Sequence, residues 1–94
     1  MTETSINYAK ALYELSVPEE AVLETEKIFR STPQLKGALE NPLVSLKEKE
    51  HVIDRVFPQE MKNFLKVTCK YQKISSIYDI LEAYGNYSRK QKGI

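Results

Sequence analysis

Tyr8-Ala9-Lys10-Ala11-Leu12-Tyr13-Glu14-Leu15 carries more apolar surface than one buried face can use. A helix that covers a core turns toward it a stripe little more than ~100° wide. At ~100° per residue, Ile6, Ala9, Leu12, Tyr13 and Ser16 gather on one side, and Tyr8, Ala11 and Leu15 gather on the neighbouring side. Only Asn7, Lys10 and Glu14 make a polar strip, so the non-polar arc spans roughly 220°. The pattern predicts a helix from about Ser5 to Ser16. The Val17-Pro18 step ends it, because a proline drives the preceding residue out of the helical region.

The same reasoning extends along the chain. Four prolines and three glycines cut it into short periodic pieces, and none alternates as a strand would. Pro18 suits the first turn of a second helix, with Glu19 and Glu20 near its positive end and Ile28 and Phe29 closing its apolar side. Thr32-Pro33 opens a short third helix, on which Leu35 and Leu39 share a face and which Asn41-Pro42 breaks. Ser45-Leu46-Lys47-Glu48 is a capping box, in which the Ser45 hydroxyl accepts from the Glu48 amide and the Glu48 side chain returns to the Ser45 amide. That fourth helix carries Val52, Ile53, Val56 and Phe57 and stops at Pro58. A fifth runs from about Gln59 to Tyr71. Ser75 or Ser76 caps a sixth, whose Ile77, Ile80, Leu81, Tyr84 and Tyr87 keep helical spacing. The predicted fold class is all-α: a compact antiparallel bundle of six short helices over residues 1–88. Residues 89–94 form a basic tail, with Gly93 as the end signal.

The fifth helix repeats the excess of the first. Met61, Phe64, Leu65 and Thr68 form one side, and Val67 and Tyr71 widen it to roughly 200°. Two explanations are open at this point. Both helices can be central in the bundle. Or Tyr8, Ala11, Leu15, Val67 and Tyr71 line a groove for a partner's amphipathic helix, with small Ala11 admitting its backbone and the tyrosines supplying apolar area with a polar tip.

Composition excludes several function classes. A chain of 94 residues makes one domain. Its formal net charge of +1 is far from the strongly basic balance of nucleic-acid-binding domains. The single Cys69 has no partner for an internal disulfide, which fits a reducing compartment. No apolar run approaches the roughly 20 residues of a membrane span, and the N-terminus has no signal layout.

In this setting Tyr8 to Leu15 resembles the opening helix of the delta subunit of rotary ATP synthases, called the oligomycin-sensitivity-conferring protein in mitochondria. Leu39, Asn41-Pro42, Ser45 and Lys49 look like that family's Leu-x-Asn-Pro turn and the capped helix after it. Val52-Ile53 through Phe57, Phe64-Leu65-Lys66-Val67, and then Ile74, Ile77 and Tyr84 follow in the family's order, while Arg89 to Ile94 resembles the point where the last helix leaves the domain. Tyr71-Gln72-Lys73 departs from it, since family members often have a polar pair and an arginine there. The resemblance implies a six-helix domain of a longer subunit and a non-catalytic stator role. The domain would bind the N-terminal helix of an alpha subunit in a groove between the first and fifth helices, while a second domain, absent here, would contact the b subunit of the peripheral stalk. The expected groove is Tyr8, Ala11, Leu12 and Leu15 facing Phe64, Val67, Thr68 and Tyr71, with Leu12 shared with the core. The expected location is the cytoplasmic side of a bacterial membrane, peripheral through the complex.

No catalytic, cofactor or metal site is expected. His51 is the only histidine and Cys69 the only cysteine, so neither a zinc site nor a Cys-His pair can be assembled. No Gly-rich loop cradles phosphate. Glu19-Glu20 and Glu48-Lys49-Glu50 suit a helix start and a solvated face. Asn86-Tyr87-Ser88 matches a glycosylation acceptor by chance, and Arg89-Lys90-Gln91-Lys92 suits a solvated helix terminus. Two other classes stay in view: a helical nucleic-acid-binding domain, and a bundle that pairs its apolar arcs with a second copy.

Overall fold

Proline and capping chemistry place the helix boundaries in the computed structural model, which describes residues 2–93. The helices are α1 (Glu3–Glu14), α2 (Glu19–Ser31), α3 (Pro33–Glu40), α4 (Leu46–Val56), α5 (Gln59–Lys70) and α6 (Ile77–Gln91), with a 3-10 turn over Ile74–Ser76 leading into α6. The described residues contain no strand. The radius of gyration, 12.7 Å, is that of a folded chain of this length.

α1 starts earlier than its apolar pattern suggests. Thr2 is the N-cap, its hydroxyl oxygen accepting from the Ser5 amide at 3.1 Å and its hydroxyl donating to Ser5 Oγ at 3.1 Å. The helix closes at Glu14, and Ser16 turns into the left-handed region at φ 57°. Pro18 precedes α2 as its N-cap rather than sitting in its first turn. Thr32 stands at the N-cap of α3 without a side-chain hydrogen bond. Half of the Ser45 capping box forms, with the Glu48 amide donating to Ser45 Oγ at 3.2 Å. The return bond from Glu48 is not made among the described residues. α5 ends in a Schellman turn, in which the Lys73 amide bonds Thr68 O at 2.8 Å and the Gln72 amide bonds Cys69 O at 3.0 Å. Gln72 takes the left-handed position at φ 57° that glycine usually fills.

α6 is longer than predicted. It runs to Gln91, into the residues expected to form a tail, and Ser88 just before them is buried. Gly93 does end it, with φ 75°. Lys92 also ties this end to the start of α2, its Nζ lying 2.7 Å from Glu19 Oε2.

The core gathers one stripe from each helix. α1 gives Ala9 and Leu12, α2 gives Ala21, Val22 and Phe29, and α5 gives Met61, Phe64, Leu65 and Cys69. α6 gives Ile77, Ile80, Leu81, Ala83 and Tyr84. Phe29 stacks against Phe57 at 4.9 Å between centroids, and Tyr13 meets Tyr87 edge-on at 5.2 Å. Buried Thr25 and Thr68 satisfy their hydroxyls on the carbonyls of Ala21 and Phe64, at 2.8 and 2.7 Å. α1 packs chiefly on α6, and α5 chiefly on α4. α1 and α5 therefore belong to different pairs, and a gap separates their outer faces.

Candidate functional site

The gap is an apolar groove of about 450 Å³, lined by Asn7, Tyr8, Ala11 and Leu15 on α1 and its C-cap and by Asn63, Phe64 and Val67 on α5. Its rows follow helix geometry. Tyr8, Ala11 and Leu15 are spaced three and four apart, as are Phe64, Val67 and Tyr71, so each set lies along one face. Phe64 forms the floor, with the half-buried Tyr8 meeting it edge-on at 6.3 Å and 74°. Above them the apolar surface is open: Leu15 is 59% exposed and Val67 47% exposed.

Of the eight residues expected in the groove, five line it: Tyr8, Ala11, Leu15, Phe64 and Val67. Tyr71 is 58% exposed and lies one turn beyond Val67, extending the row past the cavity. Leu12 and Thr68 are placed differently, for both are fully buried. Leu12 stands on the core side of Tyr8. Thr68 bonds back to the Phe64 carbonyl, so its hydroxyl has no reason to face out. Neither can touch an occupant, and both support the groove from beneath.

Asn7 and Asn63 complete the lining and were not anticipated as a pair. Each precedes the aromatic residue of its wall, and neither carboxamide is hydrogen-bonded among the described residues. A signal was present in the sequence: Asn7-Tyr8-Ala9-Lys10-Ala11 and Asn63-Phe64-Leu65-Lys66-Val67 run Asn, aromatic, apolar, Lys, apolar. The lysines turn away, Lys10 to the Tyr87 ring at 5.8 Å and Lys66 to Asp54 at 2.8 Å. That ion pair holds the Asp54 carboxyl below its ordinary value.

The groove is lined by hydrocarbon and two asparagines, with the Tyr8 phenol its only ionisable group. Among the described residues, no cluster of three or more His, Cys, Asp or Glu side chains is placed to hold a metal ion, and no helix is long and apolar enough to cross a membrane. His51 is exposed. What the groove can do is bury an apolar face, and its two-walled shape matches a helix.

Residues 5–94 match the family described as ATP synthase delta (OSCP) subunit. A delta subunit of ATP synthase from Clostridioides difficile (strain 630) is 31% identical over 93% of this chain and 55% of its own length. The delta subunit of Prochlorococcus marinus (strain MIT 9301) is 28% identical over 93% of the chain and 54% of its own. A chloroplastic delta subunit from Trieres chinensis is 29% identical over 84% and 48%. No solved structure gives a significant match. The chain spans about half the length of the curated relatives it matches. With the family match running from the start of α1 past the end of α6, the chain belongs to the ATP synthase delta (OSCP) subunit family.

Proposed function

We propose that this domain is a non-catalytic stator module of a rotary ATP synthase, and that its α1–α5 groove holds the N-terminal helix of an alpha subunit. The observation that carries the proposal is the open apolar groove itself. Two helices set their excess apolar residues opposite each other and leave them uncovered. An amphipathic helix laid between Leu15, Ala11 and Val67 would remove that surface from water, with Ala11 leaving room for its backbone. At ~25 cal/mol per Å² the burial is worth several kcal/mol before association costs are subtracted. A stator must hold against a turning rotor, and tight groove binding supplies the slow dissociation this needs. The b subunit of the peripheral stalk is the second proposed partner, through the part of the subunit these residues do not span. The domain would then sit on the cytoplasmic side of a bacterial membrane, held there by the complex.

Titration with a peptide of the alpha subunit's N-terminal helix is the direct test. Saturation is expected below ~10 μM, a level a working interface reaches easily. No binding at that concentration overturns the proposal. Sedimentation run beside it separates a monomer awaiting its partner from a bundle that pairs with a second copy of itself.

A further inference from the structure

On the far side of α5 from the groove, a smaller cavity of about 270 Å³ opens where α3 ends and the 3-10 turn begins. Leu39, Pro42, Cys69 and Ile74 give it apolar walls, and Glu40, Lys49, Gln72 and Ser75 bring polar groups to it.

Lys49 is the anomaly. It is only 8% exposed, yet its side chain makes no ion pair and no hydrogen bond among the described residues. Two features make that arrangement costly. With most of the residue out of water and no counter-charge beside it, the ammonium keeps only part of its hydration. Lys49 also lies at the end of the first turn of α4, near the positive pole of its own helix, where a cation is disfavoured. No buried side-chain nitrogen or oxygen is both sealed from solvent and unbonded, so the ammonium of this otherwise buried residue is reached from outside. Lys49 lines the cavity, which opens to solvent beside it.

The neighbours do not neutralise it. Glu40 is engaged by Lys36, whose Nζ lies 3.3 Å from its carboxylate. Glu50, the next residue on α4, pairs with no cation among the described residues, although its charge is felt at Cys69 in the cavity wall. Gln72 and Ser75 each bring a donor to the cavity, and neither side chain is committed to a hydrogen bond elsewhere among the described residues.

We propose that this cavity is a carboxylate site, in which the Lys49 ammonium pairs with the acid group, Gln72 and Ser75 donate to it, and a short apolar stem lies against Leu39, Pro42 and Ile74. An ammonium with flanking neutral donors suits a carboxylate, and apolar walls favour one carried on a hydrocarbon stem over an inorganic anion. The site is separate from the α1–α5 groove and shares no lining residue with it.

The test uses the 94-residue chain and two probes at matched ionic strength: sodium butyrate as a free acid, and a terminally blocked short peptide bearing one glutamate. Saturable shifts of the Gln72 and Ser75 amide resonances are expected, half complete at about 1–10 mM as befits one charge-assisted contact. The probe that saturates at lower concentration tells a free acid from a protein-borne one. Lys49→Met keeps the stem, and it is expected to weaken binding at least tenfold while matching or exceeding the wild-type Tm. Ser75→Ala, which leaves Lys49 in place, is expected to weaken it a few-fold. The site is overturned if no saturable shift appears up to 100 mM, or if Lys49→Met binds as well as wild type. It is equally overturned if Lys49→Met lowers the Tm or fails to fold, for the ammonium then serves the fold.

Discussion

Tyr8 of α1 meets Phe64 of α5 edge-to-face, with centroids 6.3 Å apart and ring planes at 74°, and so joins two helices whose main packing partners lie elsewhere. The two rings differ in what they hold. Phe64 is 6% exposed and belongs to the core, whereas Tyr8 is half-buried at the groove's edge. Phe64→Ala should therefore cost about 3–4 kcal/mol of stability. Tyr8→Ala should cost only ~1 kcal/mol, the worth of the aromatic pair and its partial burial, but should weaken partner binding. Urea unfolding of both variants beside a peptide titration checks the split; equal stability losses would contradict it.

Ala11 is exposed on the groove wall. A carboxylate there meets water in the free domain and is buried only beneath an occupant. Ala11→Asp should leave the Tm within a few degrees of wild type and weaken binding of the alpha-subunit helix at least tenfold, since an unpaired buried charge is costly. Circular dichroism and titration on one sample decide it. Loss of the helical signal would show Ala11 to be a core position.

Asn7 and Asn63 are exposed residues at the margin of an apolar groove, where an occupant would meet their carboxamides at its flanks. Single polar groups in apolar seams set register at a cost in affinity. Asn7→Leu and Asn63→Leu should then bind any amphipathic helix more tightly, while narrowing the preference for the alpha-subunit helix over a shuffled amphipathic control. Two isothermal titrations per variant measure that ratio. An unchanged ratio would leave the asparagines without a role in selectivity.

Cys69 is buried, and loss of hydration pushes its thiol up to about 11, Lys49 lowering it and Glu50 raising it only secondarily. The thiol is protonated at neutral pH and should resist alkylation in the native domain at pH 7.5, reacting only on unfolding. The sign for stability follows. The unfolded thiol ionises near 9 and the folded one near 11, so the contribution is complete below pH 9 and is lost progressively as pH rises toward 11. Cys69→Ser, by contrast, should show no such loss across that interval. Alkylation rates and alkaline urea titrations give both answers.

The chain's prolines made its helix count legible, because Pro18, Pro33, Pro42 and Pro58 each fall at a boundary that backbone sterics impose. The groove was legible for a related reason: apolar residues beyond one stripe must either be buried or await a cover. Individual burial was harder to read. Ile6 shares a side of the helix with Ala9 and Leu12 yet is 39% exposed, while the adjacent Ser5 is fully buried, made cheap by the Thr2 hydroxyl. Leu12 and Thr68 share the apolar arcs with the groove residues, and only the packing beneath them shows that they face inward. Buried Lys49 and buried Ser88 were equally invisible, because their burial comes from distant segments rather than from their own periodicity.

The division of α1 and α5 between two helix pairs has a mechanical consequence. An occupant of the groove is the third member of two contacts, one leading through α1 into α6 and the other through α5 into α4. Load entering along the occupant is thus shared by two parallel paths, and close-packed helices pass strain on with little give. Detaching the occupant by shear requires both walls to slip together, whereas peeling it from one wall breaks the contacts in sequence. The domain should accordingly resist a pull along the groove far better than a pull across it.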